Sequence, residues 1–295
     1  MGKDTGIDSM AVYIPKYYVD AGELAEKRGV SPEKFRQGLG IERFSVFYRE
    51  NLVDAGVNAV SRLLERSESE KISRFYVATE TALDEAKPLG CFILGRLKGY
   101  DFQNVETLEL KFACVAGSYA VYDCWNYLKL HPDRKAIVLC LDEARYDLRS
   151  AAEPTQGGGA VALLLGAEPG LVSLDFSSVG VFTCDINDFY RPFGRETPIV
   201  DGELSVYTYL LAVKEAYRDL KQKLGKDLIL DQLDRLVFHV PYPKMVMHGL
   251  SFLLRHEYRN TESWKEIRKE TAEPEPEVAG SATLFDENFR ERDRR

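Results

Sequence analysis

Short apolar runs alternate with amphipathic stretches of helical period through the first 165 residues, and few architectures accommodate that pattern. Ile7 to Ile14, Phe75 to Ala78, Val105 to Leu110 and Ala136 to Leu141 read as strands. Between them, Asp20 to Arg28, Asp54 to Arg66, Leu89 to Leu97 and Ala116 to Leu130 read as helices, and Ser31-Pro32-Glu33 opens another with an N-cap and a proline at the first helical position. Alternation of this kind predicts helices packed on a mixed sheet. Ala160 to Leu165 and Leu171 to Phe176 read as neighbouring strands around the turn Gly166 to Gly170. Further on, Ser205 to Leu224 is a long helix stopped by Gly225, Leu233 to Val240 a strand, and Lys244 to His256 a helix. No sequence repeat is visible.

Within this frame, residues 108–120 deliver one cysteine, Cys114, from the end of a strand to the start of a helix. Unpaired backbone N–H groups and the positive end of the helix dipole favour a thiolate there. A buried structural cysteine is the plainer alternative. Two further segments keep Cys114 company. Phe75 to Ala78 leads to Glu80, placing a carboxylate at the carboxyl edge of a strand, where ligands of α/β sheets gather. Leu236 to Val240 carries His239 to the end of another predicted strand, with Pro241 ending the ladder and Lys244 just beyond. Each signal is weak by itself; a thiol, a carboxyl and an imidazole all ending strands of one α/β pattern form a more specific set. Tyr119, Tyr122, Trp125 and Tyr127 form a helix stripe best read as packing.

Composition excludes more than it identifies. The 295 residues are 45% hydrophobic, enough for one large core or two similar ones. The formal net charge of −8 argues against a nucleic-acid partner. Five cysteines without CxxC or Cys/His metal spacing argue against a metal site and for a reducing compartment. No apolar stretch is long enough to span a membrane, and residues 1–5 lack the apolar core of a signal peptide, so a cytoplasmic location is expected.

Several blocks, in order along the chain, resemble 3-hydroxy-3-methylglutaryl-CoA synthase, a branch of the thiolase superfamily. They are Gly6-Ile7-Asp8, residues 13–20 (YIPKYYVD), residues 77–80 (VATE), the Cys114 elbow, residues 153–162 (EPTQGGGAVA), residues 188–192 (DFYRP) with Val200-Asp201-Gly202, and residues 238–241 (FHVP). The likeness spans roughly residues 6 to 270. It implies an α/β, thiolase-like fold of α-β-α-β-α layers with two similar halves, the second incomplete. The expected organisation is an N-terminal half over 1–167 carrying Glu80 and Cys114, a partial C-terminal half over 168–270 carrying His239, and a charged divergent tail over 271–295. Family members continue beyond the point where this likeness ends, so a shortened second half is expected.

The resemblance also implies the chemistry, a condensation of acetyl-CoA with acetoacetyl-CoA, as in mevalonate and isoprenoid synthesis. Cys114 would become the acetyl thioester, Glu80 would take a proton from the acetyl methyl group and later help water release the product, and His239 would bind and polarise the acetoacetyl thioester. Lys244, Thr155 and Gly157 would contact substrate, the run 155–159 being read as a tight backbone approach rather than a phosphate loop. Asp84, Asp142 and Asp188 would orient the catalytic groups, although each could equally serve as a cap or loop charge. No resident cofactor or metal is expected, only coenzyme A thioesters as substrates, and a homodimer is implied. Two other readings stay open: a β-branching enzyme acting on carrier-protein-bound acyl groups, and a non-catalytic form that interacts with a full-length relative.

Overall fold

A strand that is apolar on both faces needs cover on both sides, and the middle strands of this chain are of that kind. The computed structural model describes residues 4–65, 67, 69–226, 229–259 and 261–271. In chain order the first elements are β1 (Thr5–Tyr13), β2 (Tyr17–Asp20), α1 (Ala21–Arg28), α2 (Pro32–Arg36), β3 (Arg43–Val46) and α3 (Leu52–Leu64). Then follow β4 (Ile72–Ala78), α4 (Leu89–Leu94), β5 (Glu106–Leu110), α5 (Ala116–Leu130), β6 (Lys135–Ala144), β7 (Gly157–Ala167) and β8 (Val172–Ser173). The remainder comprises β9 (Phe189–Tyr190), β10 (Ile199–Val200), α6 (Gly202–Leu224), α7 (Pro243–Tyr258) and α8 (Glu262–Thr271).

Two compact units emerge. The first contains Met1–Glu23, Arg43–Arg145 and Gln156–Phe176. Its six-stranded mixed sheet has the order β5-β4-β6-β7-β1-β8. β4 runs parallel to β5 and β6, whereas β7 is antiparallel to both β6 and β1. Strand alternation sorts the core: Phe75, Val77, Ile137 and Leu139 face Val60 and Leu63 of α3 and Ile93 of α4. Tyr76, Ala78 and Val138 face Ala120, Cys124 and Leu128 of α5. The apolar runs are therefore strands because each of their faces meets a helix.

Local signals fix the helix ends. Asn51 and Asp54 close a reciprocal capping box that starts α3 two residues earlier than its apolar period suggests. Ser31 caps α2 by accepting from the Glu33 N–H. Gly95 ends α4 before the predicted Leu97. The predicted strand over Leu171 to Phe176 shrinks to Val172–Ser173, because its partner β1 offers only Gly6 and Ile7 for pairing there.

Parallel pairing places the carboxyl ends of β4 and β5 together, against β6, which continues to Ala144. Ala78 is in register with Leu110 of β5 and with Cys140 of β6. The chain segments that leave β4 and β5 therefore start side by side, next to the last residues of β6.

The second unit contains Leu24–Glu42, Tyr146–Thr155 and the described residues from Ser177 onward. Asp201 caps α6 by accepting from the Leu204 N–H at 3.0 Å, and α6 packs on α7 through Leu210 against Phe252 and Tyr217 against Leu253. A buried carboxylate ties this core together: Glu257 accepts from the Tyr217 hydroxyl at 2.7 Å, Lys221 Nζ at 2.8 Å and the Ile229 N–H at 3.2 Å. Gly225, at the end of α6, adopts φ 61° with open space where a side chain would be. Gly225→Ala should therefore lower stability through backbone strain alone, by about 1 kcal/mol, measurable as a lower urea midpoint with unchanged slope.

One prediction fails in this unit. Leu233 to Val240 is not a strand; its residues lie mostly exposed, Val237 at 96%. Strand structure is completed by hydrogen bonds to a neighbouring strand, and among the described residues none runs beside this segment. From residue 272 onward, the predicted charged tail lies outside the described residues.

Among the described residues no helix is long and apolar enough to cross a membrane. Among those same residues, no group of three His, Cys, Asp or Glu side chains could hold a metal ion.

Candidate active site

The shared sheet edge turns sequence neighbours of β4, β5 and β6 into spatial neighbours. Glu80 lies just beyond β4, Cys114 between β5 and α5, and Asp142 near the end of β6. The Cys114 thiol donates to Glu80 Oε1 at 3.0 Å. Behind this pair, Asp142 Oδ1 accepts four hydrogen bonds, from the Glu80 N–H at 2.8 Å, Thr79 Oγ1 at 2.9 Å, and the Thr81 N–H and Oγ1, each at 3.0 Å. Asp142 thus holds the peptide that carries Glu80.

The turn into α5 is strained. Ala113 has φ 43°, a left-handed conformation that residues with a Cβ adopt only where the surroundings impose it. The Val115 N–H bonds to the Phe112 carbonyl and the Ala116 N–H to the Ala113 carbonyl, locking the elbow. Cys114 itself remains accessible to solvent.

Electrostatics reverses the expected state of the thiol. Crowding by protein atoms, then the Glu80 carboxylate and its hydrogen bond, then Asp142, push the Cys114 thiol up to about 12; its own backbone N–H pulls weakly the other way. Because the residue is accessible, the carboxylates are the firmer part of that argument: a negative charge accepting from the thiol favours the protonated form whatever the burial. The helix N-terminus does not prevail here. Burial is also the main cause that lifts Asp142 to about 6, with the Glu80 carboxylate adding to it, while the Glu80 N–H and the Thr79 and Thr81 hydroxyls oppose the rise.

Each of the other candidates has contacts of its own. Asp84 accepts the Ala86 and Lys87 N–H groups at 2.8 and 2.7 Å, a loop-capping role. Gly157 begins β7 opposite Ala144. The tight approach expected of the glycine run is found next door, where a Cβ on Gly158 would sit 2.4 Å from Phe47 Cε2 and the Gly158 N–H donates to Ser45 Oγ at 3.0 Å.

In the second unit, His239 is exposed and its carbonyl accepts from the Tyr209 hydroxyl at 3.1 Å. Lys244 occupies the first turn of α7, exposed, with its N–H donating to the Leu39 carbonyl at 3.3 Å. The Asp188 carbonyl accepts the N–H of Asp201, the cap of α6, at 2.8 Å. Thr155 donates through Oγ1 to the Ala152 carbonyl at 2.7 Å.

A cavity of about 460 Å³ in the first unit lies between residues 14–18, 43–45 and 156–157; neither Glu80 nor Cys114 lines it. Sequence reasoning missed Thr79 and Thr81, the hydroxyls that complete the Asp142 hub. Their placement on either side of Glu80 was the available signal.

Comparison with known proteins agrees with this fold. The N-terminal model of hydroxymethylglutaryl-coenzyme A synthase matches residues 1–170 and the C-terminal model residues 172–293. The hydroxymethylglutaryl-CoA synthase of Enterococcus faecalis is 38% identical over 241 residues, covering 81% of this chain and 62% of that protein. This chain thus spans less than two thirds of that relative's length. The solved structure of MvaS in complex with 3-hydroxy-3-methylglutaryl coenzyme A superposes with a TM-score of 0.84 at 34% identity, over 92% of this chain and 69% of that one. A curacin-pathway HMG synthase, solved in complex with an acetyl donor-ACP, gives 0.81 at 26% identity, over 91% and 66%. The α/β, thiolase-like fold is shared by these proteins, and with its family models running from residue 1 to residue 293 the chain belongs to the hydroxymethylglutaryl-coenzyme A synthase family.

Proposed function

We propose that the chain carries the acyl-transfer and condensing chemistry of its family, joining acetyl-CoA to acetoacetyl-CoA to give 3-hydroxy-3-methylglutaryl-CoA. The observation that carries this reading is the Cys114 thiol donating to Glu80 at 3.0 Å on a solvent-accessible elbow. Cys114 Sγ attacks the thioester carbonyl of acetyl-CoA, the bond to the CoA sulfur breaks, and the thiol proton leaves with CoA. Glu80 then takes a proton from the acetyl methyl group. The resulting enolate adds to the ketone carbon of acetoacetyl-CoA, the alkoxide is protonated, and water cleaves the link to Cys114. A thioester acidifies its own methyl group and a carboxylate is a sufficient base, so no resident cofactor enters the scheme.

His239, Lys244, Thr155 and Gly157 serve as substrate contacts in this reading, and Asp142 orients Glu80. The HMG-CoA-bound MvaS is the more similar of the two solved structures compared, which favours CoA thioesters over carrier-bound substrates. Five cysteines without a disulfide fit a cytoplasmic protein, and a homodimer fits the family.

Exposure to acetyl-CoA followed by mass spectrometry of peptides tests the reading. One acetyl group is expected on the peptide that holds Cys114, discharged when acetoacetyl-CoA is added. A folded sample with no acetyl on that peptide overturns it.

A further inference from the structure

The loop from β6 to β7 carries Thr155 and contains a buried charge that the reaction scheme does not use. The side chain of Glu153 is 3% exposed. Arg28, the last residue of α1, meets it as a fork, Nε donating to Oε2 at 2.8 Å and Nη2 to Oε1 at 2.6 Å. The Arg149 N–H donates to the same Oε2 at 2.9 Å. Arg149 itself has φ 68°, a conformation unfavourable for arginine that this hydrogen bond helps to hold. From Glu153 the restraint passes along the chain: its N–H donates to the Ser150 carbonyl at 3.3 Å, and the Thr155 N–H and hydroxyl both donate to the Ala152 carbonyl, at 2.9 and 2.7 Å.

A buried ion pair is a poor source of stability compared with apolar packing, but a bidentate fork fixes direction as well as distance. Here the direction it fixes is that of a tight turn two residues before Thr155. We propose that the Arg28–Glu153 pair sets the position of Thr155 and through it the affinity for the acyl-CoA substrate, so that both are positioning residues. The inference rests on the condensing reading above, in which Thr155 touches substrate.

The test uses the full chain, with acetoacetyl-CoA titrated by calorimetry and amide hydrogen exchange followed by peptide. Glu153→Gln removes the charge at nearly constant shape, and Arg28→Lys keeps the charge but loses the fork. Both should speed exchange in peptides spanning residues 146–155 while leaving α3 and the sheet unchanged, and both should weaken acetoacetyl-CoA binding by roughly 10- to 100-fold. The exchanged pair Arg28→Glu with Glu153→Arg should recover part of that loss. Unchanged affinity in Arg28→Lys despite faster loop exchange overturns the proposal and leaves the condensing reading standing. Equal loop exchange in wild type and variants overturns it as well. Failure of the wild-type chain to bind acetoacetyl-CoA overturns both.

Discussion

Glu80→Gln is expected to cut condensation by chain already acetylated at Cys114 by roughly 10²- to 10⁴-fold, and at the same time to make the free thiol more reactive toward iodoacetamide. The two effects have one origin. In the proposed scheme Glu80, as a carboxylate, removes the methyl proton, and an amide cannot accept that proton. The same negative charge, receiving the Cys114 thiol at 3.0 Å, is among the causes that hold the thiol near 12, after crowding by protein atoms. Without the charge the thiol's pKa falls, and each unit of fall raises the thiolate fraction about tenfold at neutral pH. Alkylation rates at pH 7.5 and product formation from pre-acetylated chain are the two measurements. Condensation within tenfold of wild type would remove Glu80 from the role of base, and slower alkylation would remove its charge from the causes that hold the thiol protonated.

This coupling marks the boundary of what could be read from the chain. Strands β4 and β6 were legible because a run buried on both faces is apolar without interruption, and α5 because its period begins directly after the strand that precedes it. The neighbourhood of Glu80 and Cys114 rests on the parallel pairing of β4 with β5, which sets Ala78 beside Leu110; the strands were legible, but their order in the sheet was not. The charge state of the thiol was not legible. It depends on a carboxylate 34 positions away and on Asp142, and the local argument from the helix N-terminus pointed in the opposite direction.

Leu233 to Val240 shows the converse limit. Its residues have the composition of a strand, yet composition records only that a segment suits a sheet; a strand also needs a partner, and partners are chosen across the whole chain. The Arg28–Glu153 fork is equally long-range, joining positions 125 apart that no periodicity connects. Thr79 and Thr81 could have been suspected as flanks of Glu80, but the acceptor they share lies on β6.

Asp142 gives the second large effect, one that separates positioning from charge. Asp142→Ala would leave the Glu80 N–H, the Thr81 N–H and two hydroxyls without their common acceptor, with a loss of roughly 1–3 kcal/mol for each donor that finds no other partner. Released, Glu80 should lose the geometry that proton transfer requires, and condensation should fall by about 100-fold. Asp142→Asn keeps an oxygen in the accepting position and should hold condensation within about tenfold. Its signature lies in the pH dependence of stability instead. The carboxyl is lifted from the ordinary 3.8 to about 6 in the folded chain, so between those values the native state holds a proton that the unfolded chain has released. Stability contributed by this group therefore falls as pH rises through that window, and above it the buried charge is a constant penalty. Asparagine has no such penalty. Urea unfolding should show Asp142→Asn gaining about 1.4 kcal/mol relative to wild type between pH 5 and pH 7.5. A difference that stays flat across that range would mean that Asp142 is ionised throughout and that its four donors, rather than its burial, set its charge.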